Sequence, residues 1–159
     1  MEPSDCASLL ERLAATPQAL ERSLRELAGG KLRARPAPGV FAPIEVAWHL
    51  RDLECEGWLA RMHRILDEPT PVLPSIDGDR LALERAYLTL DPEPALAQFA
   101  AARQQSLEIL RTLPAHRWSW SGIFEGQALT LTRLAELMVQ HDADHLDELR
   151  GHAVKSRAA

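Results

Sequence analysis

Between Leu131 and His152 the chain reads LTRLAELMVQHDADHLDELRGH. At helical spacing its inward stripe is Leu131, Leu134, Met138, His141, His145 and Leu149. Such a stripe has to be buried against other helices, yet two histidines stand where it should continue. Imidazoles on a buried face need partners. Residues at i and i+4 lie about 6 Å apart at Cβ, close enough for both rings to reach one metal ion, so the question becomes what the rest of the chain brings to them.

Three further helices are predicted. The first spans residues 5 to 28, capped by Ser4 or Asp5, with Cys6, Leu9, Leu10, Leu13, Leu20, Leu24 and Leu27 inward, a break or kink near Pro17, and a stop at Gly29-Gly30. The second starts at Pro43, with Glu45 favouring its dipole, and continues to about Leu66. One of its stripes is Val46, His49, Leu53, Gly57 and Ala60, so a histidine again interrupts an apolar face. The third is capped by Asp91, opens at Pro92 and places Leu96, Phe99, Arg103, Leu107 and Leu110 on one face before Pro114. Residues 67 to 91 form a long connection with one short helix across Arg80 to Leu88, long enough to let the second and third helices run parallel. Residues 115 to 129 alternate weakly around a turn at Glu125-Gly126 and predict a small hairpin or an ordered loop before Thr130 caps the last helix. The expectation is an all-α chain, one domain over residues 1–159, with four long helices in one bundle and a long crossover between the second and third.

Composition removes several classes of function. Hydrophobic residues make up 46% and charged residues 26%, as in a soluble globular protein. A net charge of -5 argues against nucleic acid as a partner. No apolar run approaches the roughly 18 residues of a membrane span, and MEPSDCASLL has no basic region of the kind that opens a signal peptide, so a cytoplasmic location is expected. Cys6 and Cys55 have neither finger nor CxxC spacing and read as two reduced thiols.

Of six histidines, His49, His141 and His145 lie on inward stripes, whereas His63, His116 and His152 fall on a helix edge, a loop and a fraying end. A catalytic zinc site takes three protein ligands and leaves a position open, and nickel, manganese or iron would accept the same imidazoles. Asp52, Asp142, Asp144 and Glu148 lie within a turn of these histidines and are candidates to hold the ring nitrogens that face away from an ion. The alternative is three hydrogen-bonded core histidines and no metal. Two sharper motifs fail: HDADH has Asp142 where a zinc protease has Glu, with Glu148 and Gly151 against the longer protease pattern, and no Glu-x-x-His pair of a di-iron bundle occurs.

VAWHLRDLECEGWLARMHRIL, the following DGDRLALER, and LTRLAELMVQHDADHLDEL together resemble the DinB/YfiT-like family over the span from about Leu9 to Leu149. The resemblance implies an up-down-down-up four-helix bundle in which His49, His141 and His145 bind a divalent metal. Family members of known activity are S-transferases and an isomerase that use small thiols such as bacillithiol, mycothiol or glutathione; many others have no established reaction. Phe41-Ala42 stands where the commoner pattern has a Trp-Ser pair. That loses a capping hydroxyl worth about 1 kcal/mol and alters the pocket mouth, leaving the ligands untouched.

The functional expectation is a divalent ion, zinc or nickel first and manganese or iron next, that activates a small thiol against an electrophile, with the nucleophile arriving as cosubstrate. A non-catalytic, stress-associated bundle with a structural metal is the competing expectation. Trp48, Trp58, Trp118 and Trp120 read mainly as core or dimer contacts, which makes a homodimer an expectation, and Trp118 and Trp120 would wall the pocket if the hairpin folds over it. Arg61 and Arg103 read as solvated helix faces, with carboxylate binding as the second role.

Overall fold

The computed structural model describes residues 3–27 and 31–157. Helix α1 (Pro3–Glu26) begins early enough to take Ser4 and Asp5 inside it, and runs on through Pro17 where the sequence predicts a break. Proline has no N–H for the carbonyl four residues back. That carbonyl, Leu13 O, instead accepts from Arg103 Nη1 at 3.0 Å, so the helix loses one donor and gains another. The expected stop at Gly29-Gly30 lies outside the described residues.

The second rod is α2 (Pro43–Asp52), a π-helical turn (Leu53–Trp58) and α3 (Leu59–Asp67). Glu45 Oε2 accepts the Ala42 N–H at 2.9 Å, half of a capping box that Ala42 has no oxygen to complete. The wider turn shifts the helical phase. Asp52, Leu53 and Glu54 are consecutively buried, and Trp58, Arg61, Met62 and Ile65 form the inward face beyond the turn, whereas Ala60 of the expected stripe is only half-buried.

The crossover carries α4 (Gly78–Glu84), a little earlier than predicted, capped by Asp77, whose side chain accepts the Arg80 N–H at 3.0 Å. A 3-10 turn (Tyr87–Thr89) leads into α5 (Pro92–Thr112), where Asp91 caps as expected. After a second 3-10 turn (Ala115–Ser119), β1 (Ser121–Phe124) and β2 (Gln127–Thr130) pair antiparallel, with Ser121 opposite Thr130 and Phe124 opposite Gln127. Glu125 (φ 51°) and Gly126 (φ 80°) form the left-handed two-residue turn such a hairpin needs. β1 also clamps the crossover: Leu73 N–H donates to Ile123 O and Ile123 N–H to Pro71 O, both at 2.7 Å. Helix α6 (Leu131–Arg157) follows and extends past the predicted end at His152.

Side-chain pairs give the helix directions. Trp48 bonds to Asp91 O, Arg51 to Gln98, and Glu54 to Arg103 and Ser106, so α2 and α5 rise together. Thr16 meets Asp142 while Leu20 packs with Leu149, so α1 and α6 are parallel. His49 faces His141 while Phe41 meets His152, so α2 and α6 are antiparallel. The order is therefore up-down-down-up. One apolar cluster joins Leu13, Met62, Leu107, Leu110, Leu134 and Met138; a second joins Leu20, Leu24, Leu50, Phe99 and Leu149. No helix among the described residues is long and apolar enough to cross a membrane. Neither Cys6 nor Cys55 forms a disulfide among the described residues.

Candidate metal centre

His49 sits on the last turns of α2, and His141 and His145 one turn apart on α6. Their ring centroids form a triangle of 5.1, 4.8 and 4.5 Å. One ring nitrogen from each lies within 4.8 Å of the others, and no fourth His, Cys, Asp or Glu joins the group among the described residues. His49 Nε2 and His141 Nε2 are 3.1 Å apart. Two nitrogens on one ion, with bonds of about 2.0–2.1 Å at angles from octahedral to tetrahedral, lie about 2.8–3.4 Å apart, so this pair fits a shared ion.

The protonation state also suits a ligand role. Burial, then the neighbouring histidines, holds His49 down to about 3 against an ordinary 6.5, and Asp52 opposes this only partly. Burial, His145 and the charges of Arg103 and Arg61 do the same for His141, also about 3. Both rings are neutral at neutral pH, and each keeps a lone pair. Their Nδ1 atoms are buried with no hydrogen-bond partner among the described residues, so packing and the close Nε2 pair set the ring orientation.

Packing supplies that orientation. Phe41 lies 5.2 Å from the His49 ring and Trp58 5.8 Å from the His141 ring. Gly78, the first residue of α4, covers His49 so closely that any Cβ there would fall 2.5 Å from Cε1. The role of the DGD sequence at the start of α4 is thus double: Asp77 caps the helix and Gly78 gives the ring room.

The four acidic candidates separate. Glu148 alone bonds to a histidine, its Oε2 meeting His145 Nδ1 at 2.8 Å, which leaves Nε2 of His145 for an ion. Asp142 turns the other way, into the bundle, where it accepts from Arg103 Nη1 (2.6 Å) and Thr16 Oγ1 (2.7 Å). Asp52 is fully buried and accepts from Arg85 Nη1 (2.6 Å), Arg51 Nη1 (2.5 Å) and the Tyr87 hydroxyl. It touches neither ring through a hydrogen bond and acts on His49 by charge. Asp144 is exposed and accepts from Gln140.

Several other sequence readings change. Arg103 is no solvated residue: it is 1% exposed and bridges Glu54 and Asp142 across three helices. Arg61 is 3% exposed, also not solvated. His152 is held, its Nε2 meeting Phe41 O at 3.1 Å. Trp118 belongs to the core cluster and Trp120 lines a surface groove with residues 65–70 and Ser119; the aromatic walls of the site are Phe41 and Trp58.

The bundle and its site can be placed among known proteins. A family model described as the DinB superfamily matches residues 12–149. The chain belongs to the DinB superfamily. Among solved structures it is similar to YfiT from Bacillus subtilis, with a TM-score of 0.91 and 19% identity, covering 98% of this chain and 90% of that one. That protein is described as "a probable metal-dependent hydrolase with an unusual four-helix bundle topology"; at this identity the likeness shows a shared fold. No curated protein sequence matches the chain.

Proposed function

We propose that His49, His141 and His145 bind one divalent metal ion, zinc or nickel before manganese or iron, and that this DinB-superfamily protein is an enzyme that activates a small thiol for attack on an electrophile. The observation that carries the reading is three clustered imidazoles with no fourth protein donor beside them among the described residues, the donor set of a catalytic site and not of a closed structural one. When bound, such an ion lowers the pKa of a thiol or water that it coordinates.

The chain's own residues do the rest. Glu148 accepts from His145 Nδ1 and fixes that ring's tautomer. Gly78, Phe41 and Trp58 hold the other two rings by contact and exclude water from one side of them. The nucleophile comes with the cosubstrate: Cys55 is half-buried, and burial, only partly offset by Arg51, raises its thiol pKa above the ordinary value.

A second reading replaces the thiol by water and the reaction by hydrolysis, favoured by the printed description of the structurally similar YfiT. Both are separated by assaying metal-loaded protein with chlorodinitrobenzene and a thiol panel, and with nitrophenyl acetate without thiol. Thiol-dependent turnover that disappears in the H49A/H141A/H145A variant is the expected result. Turnover of the ester alone would favour hydrolysis, and no turnover above the triple variant on either substrate would favour a structural metal.

A further inference from the structure

Every other strongly buried or bridging arginine of the bundle has its carboxylate. Arg103 has Glu54 and Asp142, Arg85 has Asp52 and Glu56, and Arg51 has Asp52. Arg61 is 3% exposed, and among the described residues it forms no ion pair. Its Nε donates to Pro74 O at 3.0 Å; its two terminal nitrogens make no hydrogen bond among the described residues. The guanidinium lies between two aromatic faces, with Cζ 4.8 Å from the Trp58 ring and 4.5 Å from that of Phe124. Gly57 packs close on this side, since a Cβ there would stand 3.2 Å from Leu53 Cδ1, 3.3 Å from Ile76 Cδ1 and 3.8 Å from Arg61 Nη1. Cation–π contact offsets part of the desolvation of such a charge, and Glu125 acts on it only by charge from a distance, so a buried cation with no carboxylate in contact among the described residues is an incomplete arrangement.

Trp58 is shared between this guanidinium and the His141 ring, so the two groups border one wall. We infer that Arg61 is a substrate-binding residue: its terminal nitrogens receive the carboxylate of the substrate or cosubstrate whose reacting atom is placed at the three histidines. The inference rests on the reading of the histidines as the reacting centre. A carboxylate suits the geometry better than a phosphate. It is planar and matches two parallel N–H groups of a fork that carries an aromatic ring on either side. The Pro74 carbonyl at Nε would repel the additional oxygens of a tetrahedral anion. Glu125, whose Oε1 accepts from Ser75 Oγ at 3.4 Å, stands exposed at the hairpin tip and forms no ion pair with Arg61.

The test is tryptophan-fluorescence titration of the full-length, metal-free chain with benzoate, its neutral isostere benzamide, and phenyl phosphate. Benzoate should bind at least about tenfold tighter than benzamide, a ratio expected from charge-assisted hydrogen bonds. Arg61→Gln should abolish that preference, and Arg61→Lys should keep only part of it, because an ammonium retains the charge and loses the fork. Far-UV circular dichroism checks folding; if Arg61→Gln does not fold, the wild-type ratio and Arg61→Lys decide. Equal binding of benzoate and benzamide, or a folded Arg61→Gln protein that still prefers benzoate, overturns the inference, and tighter binding of phenyl phosphate overturns the choice of carboxylate. The H49A/H141A/H145A variant should keep the benzoate preference. Failure of metal to bind the histidines is read in a separate titration, so the two failures are distinguishable.

Discussion

Gly78 packs on the His49 imidazole at a distance no side chain could share: an ideal Cβ would lie 2.5 Å from Cε1 and 2.6 Å from Nδ1. The clash is with a ring fixed on a helix and not with the end of a flexible chain, so Gly78→Ala must push His49 off the position that faces His141. Metal affinity should fall by about tenfold or more, the range seen when a ligand's supporting contact is lost, while the melting temperature of the metal-free protein changes little. Gly151→Ala is the control. No atom lies within 4 Å of its added Cβ, and in a helix the change should stabilise by about 0.5–1 kcal/mol with affinity unchanged. Competition titration with a chromophoric chelator reads both.

Asp142 and Glu148 both stand near the histidines in sequence, and the structure gives them opposite duties. Asp142→Asn leaves the buried Arg103 with Glu54 alone and should cost about 3 kcal/mol in denaturant unfolding, with metal affinity in the surviving folded protein close to wild type. Glu148 is half-exposed, so Glu148→Gln should leave stability within about 0.5 kcal/mol and weaken metal binding by about 10- to 100-fold. Equal effects of the two changes on affinity would show that the division is wrong.

The division was not legible in the sequence, and the reason is geometric. His49, His141 and His145 could be found because each occupies a slot in a periodic apolar stripe, and a polar residue in such a slot is visible without coordinates. Arg103 also occupies such a slot, after Phe99, yet that it pairs with Glu54 and Asp142 does not follow from the spacing. Glu54 falls four residues after buried Leu50, but a carboxylate in that slot names no partner, and the π-helical turn at Leu53–Trp58 shifts the phase of the rod beyond it with nothing in LECEGW to mark the turn. Asp142 is adjacent to His141, and adjacent helical residues point about 100° apart, so closeness along the chain predicted the wrong face. The break expected at Pro17 fails for a related reason: the carbonyl that proline abandons is satisfied from α5, a partner 90 residues away in the chain. Local signals gave the four helices and the caps at Asp91 and Thr130; the long-range charge network required the fold.

On the proposed assignment metal should couple to stability, because His49 lies on α2 and His141 and His145 on α6. An ion that binds the folded state only, at a free concentration 100 times its dissociation constant, adds about 2.7 kcal/mol, which for a chain of this length raises the melting temperature by several degrees. Addition of a chelator to metal-loaded protein should reverse that rise. The H49A/H141A/H145A variant should melt at one temperature with or without chelator, and a chelator effect that survives in it would place the ion elsewhere.

Acid should weaken the metal-free bundle earlier than its carboxylates alone would. In the unfolded chain a histidine takes its proton near pH 6.5, whereas in the folded chain burial holds His49 and His141 down to about 3. Between those values the unfolded state binds more protons than the folded one, so the stabilisation from the two neutral rings is complete above about pH 6.5 and is lost as the pH falls towards 3. The window from about pH 6.5 to 5 isolates them, since unfolded carboxylates take up protons mainly below about pH 4.5. Urea unfolding across that window, with metal removed, should show a steady fall in stability for the wild type. The H49A/H141A variant, whatever its absolute stability, should give a markedly flatter dependence; identical slopes would mean that the two rings do not stay neutral in the folded chain.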